Sequence, residues 1–251
     1  MAAWSFQLYS ARNFTPWDDV CRQLAALGYA SVEGFGGVYD DPAATRTMLD
    51  RHGLSMPTGH FSLDGLENDT GRTFDIARAF GVRTIYCPHV AADQRPTDAP
   101  GWQEFGRRLA AIGETARAAG FGFGWHNHDF EFRPLADGTL PMRHLLDAAP
   151  RIEWEIDVAW VIRGGADPLD WIERHGRRIT AAHVKDIAPA GENADEDGWA
   201  DVGHGVVNWH ALLKALAAHT GAATLVVEHD KPSDFARFAA RSIAALDAMG
   251  A

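Results

Sequence analysis

Short runs rich in Val, Ile, Phe and Tyr alternate along this chain with longer stretches in which Ala, Leu and Arg recur at helical spacing, the pattern of repeated β/α units. Eight such runs predict strands at 4–9, 30–35, 54–60, 82–88, 121–126, 152–157, 179–184 and 224–228. Apolar stripes between them predict helices at 17–27, 41–52, 71–80, 102–119, 140–148, 168–175, 209–219 and 233–249. Gly28, Gly53, Gly81 and Gly120 each stand between a helix and the next strand, where the backbone needs a left-handed residue to stop the helix. This punctuation fixes the order of the elements.

Two architectures alternate strands and helices in this way. A doubly wound open sheet carries a glycine-rich phosphate loop after its first strand, but the corresponding segment here reads YSARNFTPW. Eight units whose strands end in polar residues favour closure into a (β/α)₈ TIM barrel, in which all strand ends converge on one mouth. The length of 251 residues suits one such barrel, so residues 1–251 are expected to form a single α/β domain. The segment 189–198 is acidic and is expected to be a mobile loop.

Composition narrows the partners. With Lys+Arg 23 against Asp+Glu 34, the formal net charge is −11, so the long-range field repels phosphate backbones and nucleic acid is not expected. Cys21 and Cys87 are too few for a disulfide scaffold. No basic segment precedes an apolar run at the start of the sequence, and no stretch is long enough to cross a bilayer. A soluble, cytoplasmic protein without membrane partners is the expectation. Exposed apolar positions on the helices are consistent with a homodimer.

The chemistry gathers at the ends of the last four strands, in WHNHDFEF (125–132), EIDVAW (155–160), AHVKD (182–186) and VVEHD (226–230). Strand closure lets one side chain from each meet a common ion. Asp157, His183 and Glu228 are the candidate metal ligands. Structural alternatives exist for each: Asp157 can cap the following turn, His183 can be a satisfied core histidine, and Glu228 can pair with Lys185 or Arg163. Charged groups on three consecutive apolar strands nevertheless need compensation. On the fifth strand either His126 or Glu131 can complete the metal site, leaving the other for proton transfer or substrate contact, and Glu131 is taken as the ligand. His128 is either a direct participant or a group that orients a ligand. Lys185 follows His183 by two residues and shares its face, where an ammonium can stabilise an oxyanion. His60, His89, Glu33 and Gln7 end earlier strands. Trp160, Phe14, Phe35 and Trp199 are candidates for an apolar wall. Mixed carboxylate and imidazole donors suit one divalent ion, Mn²⁺ first, then Co²⁺, Ni²⁺, Zn²⁺ or Fe²⁺, with Mg²⁺ disfavoured by a nitrogen donor.

Taken together, WHNHDFEF, EIDVAW, HVKD, VGHGVVNW and VVEHD resemble, in order and spacing, the strand ends of the sugar phosphate isomerase/epimerase family of xylose-isomerase-like barrels. The resemblance implies a divalent metal held by one residue from each of the last four strands, which carries over to Asp157, His183 and Glu228. Many members have a glutamate where this chain has His126, and relatives commonly have a glutamate in place of His204. In ketose epimerases of this type two metal-bound glutamates exchange the substrate proton, so a histidine at one of those places suggests another base or another reaction.

The implied activity is isomerisation or epimerisation of a sugar or keto-sugar. A proton is taken by His126 or Glu228, and the resulting enediolate is stabilised by the metal and Lys185. His60, His89, His128 and Trp160 are expected to contact the substrate. The close rival is a lyase or dehydratase that expels a substituent from a 3-keto-glycoside or related keto-sugar through the same enolate. A metal-dependent endonuclease shares the general barrel but needs several metals and a basic groove, which the acidic composition opposes. A non-catalytic sugar-binding module would bind tightly without turnover, and the density of polar groups at the mouth argues against it.

Overall fold

The strands alternate between two environments, and that alternation builds the molecule. In the computed structural model, which describes residues 4–250, Phe6, Trp125 and Trp154 point outward. Phe6 packs against Phe235 and Phe238 with ring centroids 5.7 and 5.6 Å apart, Trp125 against Phe105 at 5.3 Å and Trp154 against Trp171 at 6.0 Å. Full burial of each such ring contributes roughly 2 kcal/mol. Their chain neighbours Gln7, His126 and Glu155 therefore face the barrel axis.

The strands are β1 (Trp4–Gln7), β2 (Ser31–Gly34), β3 (Ser55–His60), β4 (Thr84–Cys87), β5 (Gly122–His126), β6 (Glu153–Asp157) and β7 (Ile179–Val184). A small antiparallel pair follows, β8 (Asp186–Ile187) with β9 (Trp199–Ala200), and then β10 (Thr224–Val227). All except β8 and β9 pair in parallel, and β10 returns to β1 to close an eight-stranded barrel. Every predicted barrel strand is present.

Eight helices coincide with the predicted ones: α1 (Trp17–Leu27), α2 (Pro42–Arg51), α4 (Thr70–Phe80), α5 (Ala99–Ala118), α6 (Pro141–Ala148), α8 (Pro168–His175), α9 (Trp209–His219) and α10 (Phe235–Ala248). Two short ones were not predicted, α3 (Leu63–Asn68) after β3 and α7 (Val158–Arg163) after β6. Side-chain caps start many of them, as where Asp98 accepts from Gly101 N at 2.9 Å. Gly28 ends α1 at φ 97°, as the punctuation required. No helix among the described residues is long and apolar enough to cross a membrane.

The loop between β7 and α9 is anchored at two points. Asp186, fully buried, accepts backbone N–H bonds from Ile187, Gly203, Gly205 and Val207 at 2.8–3.2 Å. Gly205 is required there, because a Cβ would stand 2.2 Å from Asp186 Oδ1. The acidic segment expected to be a mobile loop is tied down by Glu196, which accepts from Ser233 N at 2.6 Å and from Arg237 at 2.9 Å. Burial opposes the Glu196 charge, but Ser233 and Arg237 outweigh it and hold the carboxyl at about 2.

Two stability predictions follow from these anchors. Asp186→Ala leaves several buried N–H groups unpaired and should cost about 3 kcal/mol or more in urea denaturation. Because the Glu196 carboxyl is depressed in the folded state, its stabilisation is complete above the ordinary value of 4.5 and disappears as pH falls towards 2. Glu196→Gln should therefore be less stable than the parent at pH 7 and approach it at pH 2–3 in thermal melts. A constant difference across that range would contradict the assignment.

Candidate active site

Register brings the polar strand ends together in pairs. Across β5 and β6, His126 stands beside Glu155, and across β6 and β7, Asp157 stands beside His183. Asp157 also caps α7 by accepting from Trp160 N at 2.9 Å, so it serves as a cap and still presents its second oxygen to the site.

His183 is the hub. Its Nε2 lies 2.7 Å from Glu33 Oε1 and its Nδ1 lies 2.9 Å from Glu228 Oε2. Gln7 Nε2 donates to the same Glu33 oxygen at 3.2 Å. Glu155 Oε2 lies 2.7 Å from His60 Nε2, 3.1 Å from His126 Nδ1 and 3.4 Å from His183 Nε2. Lys185 Nζ is held by Glu228 at 2.9 Å, Asp230 at 2.9 Å and Asp157 at 3.3 Å. Trp199 and Trp160 cover it, with ring centroids 4.5 and 5.1 Å from Nζ. Glu33, Glu155, Asp157, His183 and Lys185 are 0% exposed.

Burial and charge compete at every group here. Loss of water lifts the Asp157 carboxyl to about 6, and together with the Glu155 charge it lifts Glu33 to about 7. Glu228 and Glu155 resist burial and stay well below the usual carboxylate range, Glu228 because of Lys185 and His183, Glu155 because of His183 and His60. His183 is carried well above its ordinary value by Glu155, Glu228 and Glu33 despite burial. Burial, reinforced by the neighbouring His183, pushes His126 down to about 3, so its imidazole is neutral near pH 7.

The donor set fits a divalent cation. Asp157, His183 and Glu228 offer ligand atoms within 4.8 Å of one another, and His60, His126, Glu155 and His183 form a second group meeting the same limit. Five buried or half-buried carboxylates face Lys185, His183 and His60 as cations among the described residues, a deficit that a bound ion would offset. Glu33 Oε2 and Glu155 Oε1 are buried without any hydrogen-bond partner, a state that ordinarily requires an explanation.

A cavity of about 770 Å³ opens over this cluster, lined at the site by His60, His126, Glu228 and Asp230. His89, His128 and Trp160 also line it, with His89 Nε2 2.9 Å from Arg95. His128 Nδ1 and Trp160 Nε1 are buried without partners.

Some expected residues lie elsewhere. Glu131, taken from the sequence as a ligand, accepts from Trp125 Nε1 at 2.8 Å and from His128 N at 3.0 Å. Trp125 faces the helices, so Glu131 follows it outside the barrel and does not join the cluster. Phe14 packs on Phe235 and does not line the cavity, whereas Phe35 does. Trp199 is buried between Arg163 and Lys185. Glu155 and Asp230 were missed. The alternation W-E-I-D at 154–157 could have revealed Glu155, since it shares the inward face with Asp157.

Residues 21–249 match the family described as xylose isomerase-like TIM barrel, and the chain belongs to it. Among curated relatives, the rhizopine catabolism protein MocC of Rhizobium meliloti is 24% identical over 249 residues, covering 86% of this chain and 75% of that one. Inosose dehydratase of Klebsiella pneumoniae is 21% identical over 193 residues, covering 69% of this chain and 64% of its own length, so the chain spans somewhat less than two thirds of that relative. Among solved structures, a sugar phosphate isomerase/epimerase from Parabacteroides distasonis superposes with a TM-score of 0.80 at 21% identity, covering 99% and 95% of the two chains. The IOLI protein with a binding zinc atom gives 0.75 at 13% identity, covering 99% and 96%. These structural likenesses show the shared fold.

Replacement of Glu131 separates an external structural role from metal binding. Glu131→Gln puts an amide N–H₂ against one of two fixed donors, and should cost about 1–3 kcal/mol in urea denaturation with bound metal, measured by plasma emission, unchanged.

Proposed function

We propose that this protein is a divalent-metal-dependent enzyme that removes a proton beside the carbonyl of a keto-sugar or keto-polyol and then expels a substituent from the neighbouring carbon. The observation that carries this reading is His126 on the cavity wall with the buried Glu155 behind it, set against the buried Asp157, His183 and Glu228.

The metal would be held by Asp157, His183 and Glu228, with Mn²⁺ the first candidate; the zinc named for the IOLI structure supports a metal in this fold. When bound, it supplies Lewis-acid polarisation of the substrate carbonyl. Glu33 accepts from Nε2 of His183, which leaves Nδ1 directed to the side where Glu228 stands. Glu155 engages Nδ1 of His126 and leaves Nε2 for the substrate, the arrangement of a base held by an orienting carboxylate. His126 takes the proton from carbon. The C–H electron pair passes into an enolate and then into a carbon–carbon double bond as the adjacent carbon–oxygen bond breaks, and the imidazolium returns its proton to the departing oxygen. Lys185 supplies positive field from behind Glu228 and Asp230, while His128 and Trp160 offer unpartnered nitrogens to substrate oxygens.

Elimination is favoured over epimerisation because imidazole stands at the end of β5, where many family members have a glutamate, and because a curated relative is named a dehydratase. Isomerisation or epimerisation is the second reading, favoured by Glu228, which borders the same cavity as His126 and can hold a proton on its own side.

Incubation of the metal-loaded enzyme with keto-sugars in deuterated water tests both. Elimination releases water or an alcohol, whereas epimerisation releases nothing and incorporates deuterium at carbon. His126→Ala should slow either by about 10²–10⁴-fold with metal retained, and Asp157→Ala, His183→Ala and Glu228→Ala should each lose metal. Absence of both carbon exchange and product release with every keto-sugar tried would exclude the reading.

A further inference from the structure

The catalytic cluster occupies only part of the cavity, whose volume of about 770 Å³ lies in the range that encloses drug-sized ligands. Beyond His60 the same cavity is walled by Phe35, Tyr39, Phe61, Leu63 and Ile76. Tyr39 contributes its ring, because its hydroxyl is buried without a partner and pressed towards Gly34 and Gly59, 2.8 and 2.7 Å from where their Cβ atoms would stand. That ring stacks on Phe61 at 4.7 Å and 19°, and Phe35 meets Tyr9, another lining residue, edge-on at 5.4 Å.

Charge argues against an anionic substituent in this space. Among the described lining residues the carboxylates Asp69, Glu228 and Asp230 outnumber the one arginine, Arg72, and Lys185 is already engaged by three carboxylates. Aromatic walls in a lining with more carboxylates than guanidinium groups suit a flat ring without negative charge.

We propose that this compartment is an aglycone subsite, and that the substrate is an unphosphorylated keto-glycoside carrying an aromatic group. The proposal rests on the elimination reading above. The reaction then balances without a co-reactant: the carbon proton ends on the departing oxygen, giving an unsaturated keto-sugar and a phenol.

The test uses the full chain loaded with Mn²⁺. Calorimetric titration with phenyl, hexyl and methyl glucosides and with glucose 6-phosphate should show the phenyl compound binding at least about tenfold more tightly than the methyl one, and more tightly than the other two. Ile76→Trp, which fills the compartment, and Leu63→Asn, which makes it polar, should abolish that preference while leaving elimination from the methyl keto-glycoside unchanged. Thermal melts identify any variant that fails to fold, and the ligand comparison on the parent protein stands without them. Equal affinity for phenyl and methyl glucosides, or tighter binding of the hexyl or phosphate compound, overturns the subsite. If the phenyl preference is present but the keto-glycosides neither exchange nor eliminate, the reaction reading fails and the subsite stands. If methyl and phenyl keto-glycosides eliminate with equal kcat/KM, the reaction stands and the subsite falls.

Discussion

The rest of the site is organised around one constraint, the concentration of carboxylates inside an apolar barrel. Glu33, Glu155, Asp157 and Glu228 stand within a few ångströms of His183, and charges in such surroundings are tolerated only when each meets a counter-charge or a donor. Gln7, His60, His126 and Lys185 are placed by the register of the strands to provide those partners. The energetic cost of gathering them is offset outside the barrel, where the aromatic faces of the strands pack on the helices. A single period-two alternation therefore builds a stable wall on one side and a reactive lining on the other.

The same logic explains how the mouth keeps its shape. Asp157 fixes the start of α7 with one oxygen, which places Trp160 over Lys185. Asp186, directly after Lys185, binds the returning loop through its backbone. Asp157 is thus itself the group that organises the connection after β6, and Lys185 directly precedes the one that organises the connection after β7.

Much of this was legible in the sequence. The eight strands and eight of the helices were readable because each carries its own periodicity and a glycine or polar stop, and Asp157, His183 and Glu228 stood out as polar ends of apolar strands. Short helices such as α3 and α7 are too brief to show a repeat. Glu155 sits one layer deeper than Asp157 on the inward face of β6, so the polar strand end alone does not disclose it. Glu131 was misplaced because it lies in the turn after β5, where period-two reasoning no longer applies, and its direction is decided by the Trp125 indole. The apolar reach of the cavity came from Phe61, Leu63 and Ile76, which in sequence are indistinguishable from ordinary core positions.

The way Asp186 grips its loop bears on how this protein can change over evolutionary time. It uses the backbone of residues 203, 205 and 207 and leaves the alternate side chains, His204 and Val206, exposed to solvent. Substitution at 204 or 206 is therefore nearly neutral for the scaffold, whereas Gly205 is locked by lack of room. Changes at 204 and 206 can therefore alter the outer face of this loop without disturbing the backbone that Asp186 holds.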